Sequence, residues 1–152
     1  MRLFIHGLLL ASLTVWAGCG GEAGLDGTTA VSGVVTYKGQ PVEGANISFS
    51  PTGGTGRAAS ALTDAEGRFQ LTTLKPGDGA LPGSYQVAVS KTEVQNAMTP
   101  EEAQAYFEKH LKTPEVKHKE LLPAKYKHSN TSGLSAEVTE GGENNFTFDL
   151  ND

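Results

Sequence analysis

A single cysteine is the residue whose position in this sequence points most directly to chemistry. Cys19 follows a basic start at Arg2, an apolar run over residues 3–16, and the small residues Ala17 and Gly18. That order is typical of a secretory signal peptide. A helix over the apolar run would be about 21 Å long, short of the ~30 Å hydrocarbon core of a bilayer, so we expect no permanent membrane span there. Because the chain contains one cysteine, Cys19 cannot form an internal disulfide.

The same segment resembles the bacterial lipobox, in which a cysteine thiol receives a diacylglycerol and the chain is cleaved in front of it. Ala17 and Gly18 match that pattern, while Trp16 stands where a leucine is usual. The resemblance implies a lipoprotein signal peptide over residues 1–18 and lipid, such as palmitate, on Cys19. Two or three acyl chains, at about 0.8 kcal/mol per buried methylene, would hold the protein stably at a membrane. The alternative is an ordinary signal peptide cut at a neighbouring small residue, which leaves an unpaired thiol in an oxidising compartment.

The charge of the sequence excludes some classes of partner. The formal net charge is −5 and the pI is about 5.3, so no basic face is expected for nucleic-acid phosphates or for anionic headgroups. Gly20 stands where, in many bacteria with two membranes, an aspartate resembles an inner-membrane retention signal. We therefore expect secretion through the inner membrane and a lipid anchor in the cell envelope. The outer membrane is favoured, with the domain facing the periplasm or the exterior.

Carboxylate and imidazole side chains are candidates for metal binding and catalysis. Asp64 and Glu66 place carboxylates at alternate positions of a tight turn, which suits either a calcium loop or a turn without metal. No further acids continue that spacing. His110, His118 and His128 lie in lysine-rich stretches without a compact zinc spacing. No G-x-S-x-G context presents a serine nucleophile. We therefore expect no metal, no cofactor and no catalytic residue.

Aromatic rings could bind a sugar face by stacking. Tyr37, Tyr106 and Tyr126 are the tyrosines considered, and Tyr126 lies in the polar run 125–128, where an exposed ring is plausible. Tyr126 is thus a speculative ligand-binding residue. The alternative is a partly buried core tyrosine whose hydroxyl reaches the surface.

The elements that would position these residues are mainly strands. Residues 19–30 are glycine-rich and polar, which predicts a flexible tether. Apolar and polar residues then alternate with a period of two, which predicts seven short strands separated by turn residues. They cover residues 31–37, 45–49, 58–63, 68–73, 85–90, 134–138 and 145–150. This spacing indicates an all-β, antiparallel Greek-key sandwich.

One helix interrupts the strands. Thr99 is a candidate N-cap, Pro100 suits the first turn, and Glu102 is the acid that completes a capping box. We predict one short amphipathic helix over residues 100–112, packed on the sandwich or lying over a sheet edge. Residues 114–120 are predicted to be loop.

Four motifs occur in a fixed order: Gly33-Val34-Val35, then Pro41-Val42-Glu43-Gly44-Ala45, then Thr63-Asp64 with Gly67 and Phe69, then Pro82-Gly83-Ser84-Tyr85. This set resembles the carboxypeptidase regulatory-like domain. The resemblance implies a transthyretin-like (prealbumin-like), seven-stranded sandwich over residues 31–150. That family domain is an accessory sandwich without the zinc peptidase, so the resemblance implies no peptidase activity.

The end of the chain is similar to short lipoproteins of planctomycete bacteria, in the runs 122–126, 131–134 and 145–150. Transthyretin-like hydroxyisourate hydrolases share a C-terminal Tyr-Arg-Gly-Ser, whereas this sequence ends Phe-Asp-Leu-Asn-Asp. We therefore expect a non-catalytic, lipid-anchored envelope protein whose sandwich acts as a binding, spacing or assembly module for an envelope protein or glycan. A carbohydrate-binding module on the cell surface is the alternative, and a small transthyretin-like hydrolase is the least favoured one.

Overall fold

Ten strands, two helices and one 3-10 turn are formed by residues 25–54 and 56–152, which are the residues described by this computed structural model. The strands are β1 (Ser32–Tyr37), β2 (Gln40–Pro41), β3 (Asn46–Pro51), β4 (Ala59–Leu62), β5 (Arg68–Gln70), β6 (Gly83–Ser90), β7 (Thr92–Gln95), β8 (Lys117–Glu120), β9 (Leu134–Val138) and β10 (Asn145–Leu150). The helices are α1 (Pro100–His110) and α2 (Ser129–Ser132), and the 3-10 turn is Ala124–Lys127.

Two four-stranded sheets make up the sandwich. In the first, β1 is central: β10 pairs with it on one side, while β5 and β2 pair with successive halves of its other side. The second sheet has the order β4-β3-β6-β9. All of these pairs are antiparallel except β1–β10, which is parallel. The predicted all-β sandwich is confirmed, with one parallel pair that the alternating pattern did not predict.

All seven predicted strands are present, and the described residues add three. β2 is only two residues long, which is too short to show an alternation. Almost every residue of β7 and β8 is exposed, so these strands do not alternate between apolar and polar residues in the sequence. The prediction of a loop over residues 114–120 is wrong for Lys117–Glu120, which pair with β7.

The core between the sheets is centred on Phe49. Its ring centroid lies 5.8 Å from that of Tyr85, 6.0 Å from Phe146, 6.1 Å from Phe148 and 6.4 Å from Phe69. Tilted and edge-on pairs at these separations add to the stabilisation that comes from burial alone. The two sheets are therefore joined by a single aromatic cluster.

Thr63 connects two of the sequence motifs. Its side chain is only 4% exposed; the hydroxyl donates to the carbonyl of Val42 at 2.5 Å and accepts from the N–H of Ala45 at 2.7 Å. The backbone of Thr63 also exchanges hydrogen bonds with Gly44 and Ala45, both at 3.0 Å. The turn after β2 and the end of β4 thus form one hydrogen-bonded unit, which gives both motifs a structural role.

Gly33 has a steric role in the same frame. A Cβ atom at this position would overlap the carbonyl oxygen of Phe146 and would lie 2.6 Å from Cζ of Phe69. A glycine is therefore required for β10 and the Phe69 ring to approach β1 this closely.

Asp78 closes the loop between β5 and β6. Its carboxylate accepts the N–H groups of Thr73, Leu74 and Lys75 at 2.7, 3.0 and 2.9 Å. Desolvation raises the pKa of Asp78, but these backbone donors outweigh it and bring the pKa below its ordinary value of 3.8. The loop therefore depends on the ionised carboxylate.

The two ends of the sandwich differ in what they connect. At the end that we call proximal, Thr29 and Ala80 exchange backbone hydrogen bonds of 2.9 and 3.0 Å, a few residues before β1 and β6 begin. At the opposite, distal end, β1 finishes at Tyr37, which lines one small cavity together with Lys91, the residue after β6. β6 spans eight residues, about 26 Å at roughly 3.3 Å per residue.

Helix α1 confirms the predicted helix, which ends two residues earlier than predicted. It begins at Pro100, ends at His110, and lies in the connection between the paired strands β7 and β8. None of its residues is buried, so α1 does not pack on the sandwich. Among the described residues, no helix is both long and apolar enough to cross a membrane.

Candidate functional site

A projecting element at the distal end is the candidate functional site. We call residues 91–121 the arm; it comprises β7, α1 and β8. Eight large apolar side chains are exposed among the described residues, and six of them lie on the arm. The six are Val94, Met98, Phe107, Leu111, Val116 and Leu121. Such a concentration of exposed apolar side chains is typical of a surface that binds a partner.

The base of the arm is fixed to the sandwich. The N–H of Leu121 donates to the carbonyl of Lys91 at 2.8 Å, which extends the β7–β8 ladder to the end of β6. The ammonium of Lys127, on the 3-10 turn, donates to Glu120 of β8 at 2.5 Å. This ion pair lowers the pKa of Glu120 from its ordinary value. The arm is therefore anchored by backbone pairing and by one surface ion pair, whose own energy is small.

Helix α1 is stabilised locally rather than by a core. The N–H of Glu102 donates to the hydroxyl of Thr99 at 3.2 Å, and the N–H of Thr99 donates to the Glu102 carboxylate at 2.8 Å. This capping box satisfies two backbone donors at the start of the helix. Beside the helix is an open cavity of about 560 Å³, lined by Met98 among others, where the Tyr106 and His110 rings lie 4.4 Å apart.

Leu111 is the most unusual residue of the arm. It caps the C-terminus of α1 with a left-handed backbone, φ 52°, and its side chain is 79% exposed. A left-handed backbone costs a residue with a Cβ about 1–2 kcal/mol, which is why glycine is usual there. Phe107, one turn earlier, is 49% exposed. Neither side chain is explained by the folding of the domain, and both are accessible to a partner.

The arm and the point where the chain enters the sandwich lie at opposite ends. The chain enters through Thr29 at the proximal end, and the arm leaves from Lys91 at the distal end. Residues 1–24, including Cys19 and the first half of the predicted tether 19–30, lie outside the described residues. The tether and lipid attachment therefore stay predictions, although backbone pairing begins at Thr29, just inside the predicted tether.

Tyr126 does not have the exposed ring that a sugar-binding platform needs. It is 6% exposed, and its hydroxyl donates to the carbonyl of Asn151 and accepts from the N–H of the same residue, both at 3.0 Å. The ammonium of Lys125 lies 4.9 Å from the ring centroid. The interpretation of Tyr126 as a ligand-binding residue is therefore wrong, because the ring is part of the core and its hydroxyl fixes the end of β10. Tyr106 is partly exposed on the arm.

The acidic turn is also structural. Oδ1 of Asp64 accepts the N–H groups of Glu66 at 3.0 Å and Arg68 at 2.7 Å, which closes the turn into β5. His110 lies on α1 and His118 on β8, while His128 follows the 3-10 turn. In the part of the chain that the structure describes, no group of three or more His, Cys, Asp or Glu residues could hold a metal ion.

A larger cavity lies on the outer face of the first sheet. It measures about 760 Å³ and its lining includes the outward-facing residues Ser32, Val34, Arg68 and Gln70. It is open and shallow. Its lining also includes Asp64, whose carboxylate accepts the backbone N–H groups that close the turn into β5. The arm is therefore the stronger candidate.

The family model of the carboxypeptidase regulatory-like domain matches residues 30–105. The chain belongs to this family. The carboxypeptidase regulatory-like match covers β1 to β7 and the first half of α1, and so includes all four motifs, with Gly33 and Thr63 in their structural roles. Domains of this family are typically non-catalytic regulatory or binding modules, and the sandwich is consistent with such a module. Comparisons with curated proteins and with solved structures gave no match.

Proposed function

We propose that this protein is a lipid-anchored, non-catalytic component of the cell envelope, in which the sandwich spaces and presents the arm to another envelope component. One observation carries the proposal: the chain enters the sandwich at the proximal end, and the arm projects from the distal end. A lipid on Cys19 would lie on the side of the entry point. The outer membrane, with the domain facing the periplasm or the exterior, is the location that the residues after the cysteine favour.

The dimensions support a spacing role. The ten residues from Cys19 to the pairing at Thr29 reach at most about 35 Å when extended. The sandwich adds the length of β6, and the four residues of β7 add about 13 Å. The tip of the arm can therefore act several nanometres from the lipid anchor.

The surface of the arm supports a binding role. Phe107 and Leu111 are exposed on one side of α1 and contribute nothing to the core. Burying one such side chain in an interface would stabilise a complex by about 1.5–3 kcal/mol before the costs of association. A few side chains of this kind can dominate the energy of an interface.

The lipid anchor is tested by metabolic labelling. Cells expressing the full chain, or its Cys19→Ser variant, are grown with labelled palmitate, and the purified proteins are compared. We expect label in the wild type and none in the variant, with the variant released from the membrane fraction. Equal labelling of both proteins contradicts attachment at Cys19.

The presenting role of the arm is tested by site-specific photo-crosslinking in intact cells. A photoreactive phenylalanine analogue is placed at Phe107, and in a matched variant at Leu74, which is 51% exposed on the sandwich. We expect a discrete crosslinked product from position 107 and none from position 74. Equal crosslinking from both positions contradicts a dedicated binding role for the arm.

A further inference from the structure

The arm carries a sheet edge that is open to pairing. Among residues 25–54 and 56–152, β7 and β8 form a two-stranded ribbon in which each strand has one edge without a partner strand. Every residue of β7 is exposed. The edge of β8 carries Lys117, His118, Lys119 and Glu120, and charged edge residues oppose the addition of a strand. The edge of β7 carries a single charge, on Glu93. The ribbon is therefore protected on one side only.

The backbone groups that point to this open edge follow from one hydrogen bond. The carbonyl of Lys91 accepts the N–H of Leu121, so Lys91 turns its backbone toward β8. Backbone polar groups alternate in direction along a strand, so Glu93 and Gln95 also turn toward β8. Thr92 and Val94 consequently direct their N–H and C=O groups outward, where another strand can bond them.

A second copy of β7 fits this edge in one register. If Val94 lies opposite Val94 of a second, antiparallel copy, the two exchange both of their backbone hydrogen bonds across a two-fold axis. Glu93 of each copy then lies opposite Gln95 of the other. In the other symmetric register near the strand centre, two Glu93 carboxylates face each other, and like charges directly opposite are destabilising.

The charges of the whole ribbon agree with the Val94 register. Within one copy, Glu93 is paired with Lys119, Val94 with His118, and Gln95 with Lys117. The four-stranded sheet formed by two copies would contain rows in the order Lys119, Glu93, Gln95, Lys117. No like charges are neighbours in these rows, and the two half-exposed valines meet at the centre.

We propose that the arm binds a second copy of this chain by antiparallel pairing of β7, with Val94 at the two-fold axis. The inference rests on the proposed function, since it names the partner of the arm. The tether, with its reach of about 35 Å, lets neighbouring copies in one membrane turn their arms toward each other. Confinement to the membrane raises their effective concentration, which a short strand pair needs.

The test is disulfide trapping of the full chain in membranes. Val94→Cys would place two thiols across the axis with Cα atoms about 5.5 Å apart, a separation that a disulfide accepts. The matched control is His118→Cys, the cross-strand neighbour on the protected edge. After mild oxidation we expect about ten-fold more disulfide-linked dimer from Val94→Cys, because the His118 positions would be too far apart to bridge. Equal dimer from both variants overturns the proposal.

A second pair of variants tests the register. Differently tagged Glu93→Cys and Gln95→Cys chains, expressed together, should form a mixed disulfide, while Glu93→Cys alone should form little dimer. Efficient dimer from Glu93→Cys alone overturns the Val94 register. Wild-type chain reports separately on Cys19, because a lipidated cysteine has no free thiol. A disulfide-linked dimer of the wild-type chain contradicts lipid attachment. The pairing of β7 is then still decided by whether Val94→Cys forms more disulfide-linked dimer than His118→Cys.

Discussion

Replacing Thr63 with valine tests whether the motif threonine holds the turn after β2. Valine has nearly the same shape, so the change removes the hydroxyl without opening a cavity. It leaves the carbonyl of Val42 and the N–H of Ala45 without their hydrogen-bond partner in a site that is 4% exposed. Each buried group left unpaired costs about 1–3 kcal/mol, partly offset by about 0.8 kcal/mol from the added apolar group.

We therefore expect Thr63→Val to lower the free energy of unfolding by about 2–4 kcal/mol. For a domain of this size, that corresponds to a decrease in Tm of roughly 10 °C. Urea unfolding of the purified protein in detergent, followed by circular dichroism, measures the change. Thr63→Ser keeps both hydrogen bonds and loses one methyl group, so it should cost only about 1 kcal/mol.

An exposed threonine supplies the second control. Thr52→Val removes a hydroxyl bond to the carbonyl of Ser84, 3.1 Å long, at an exposed position, and should change stability by less than about 0.5 kcal/mol. If Thr63→Val proved as stable as Thr63→Ser, the two buried hydrogen bonds would not stabilise the turn, and the structural explanation of the motif would fail.

Three further changes have distinct expected results. Gly33→Ala should destabilise the domain by about 1–3 kcal/mol or more in urea unfolding, because the new methyl group overlaps the neighbouring strand and ring. Stability should fall as the pH drops below about 4, because folding lowers the pKa of Asp78. The ionised carboxylate stabilises the fold above the unfolded pKa, and this contribution is lost as the pH falls through the folded pKa. Asp78→Asn should weaken that dependence, and an unchanged acid profile would contradict the assignment. Phe107→Ser and Leu111→Ser should each alter the free energy of unfolding by no more than about 0.5 kcal/mol, because these exposed side chains contribute to binding rather than folding. A large loss of stability would show that the arm packs on the sandwich.

The strands of the sandwich could be predicted from the sequence because each has one buried side. Residues such as Ile47, Phe49, Val87 and Val89 are buried and alternate with half-buried or exposed neighbours, and that alternation is the signal. The capping box at Thr99 likewise predicted the start of α1. These features depend on residues close together in the chain.

The location of α1 and the existence of the arm could not be predicted in the same way. Phe107 and Leu111 have the spacing of a packing face, so the sequence favoured a helix packed on the sandwich or lying over a sheet edge. β7 and β8 are exposed on both sides, and their pairing depends on residues more than twenty positions apart. The open edge of β7 therefore follows only from the backbone pairing of β7 with β8.

The burial of Tyr126 likewise could not be predicted from its neighbours in the sequence. Its polar neighbours Lys125 and Lys127 suggested an exposed ring, whereas the ring is buried and its hydroxyl bonds the backbone of Asn151, 25 positions away. The surroundings of one side chain in the sequence do not determine which of its faces meets solvent.

The parallel pairing of β1 and β10 has a mechanical consequence. A pull between a membrane tether and a bound partner would enter at Thr29 and leave through the arm, at opposite ends of the strands. The six residue pairs of the β1–β10 ladder would then be loaded in shear, so that they resist together instead of opening one after another. Forced unfolding is governed by the rate of crossing the unfolding barrier, which such shared loading slows. Under such a pull, the six pairs of the β1–β10 ladder would therefore break as one unit.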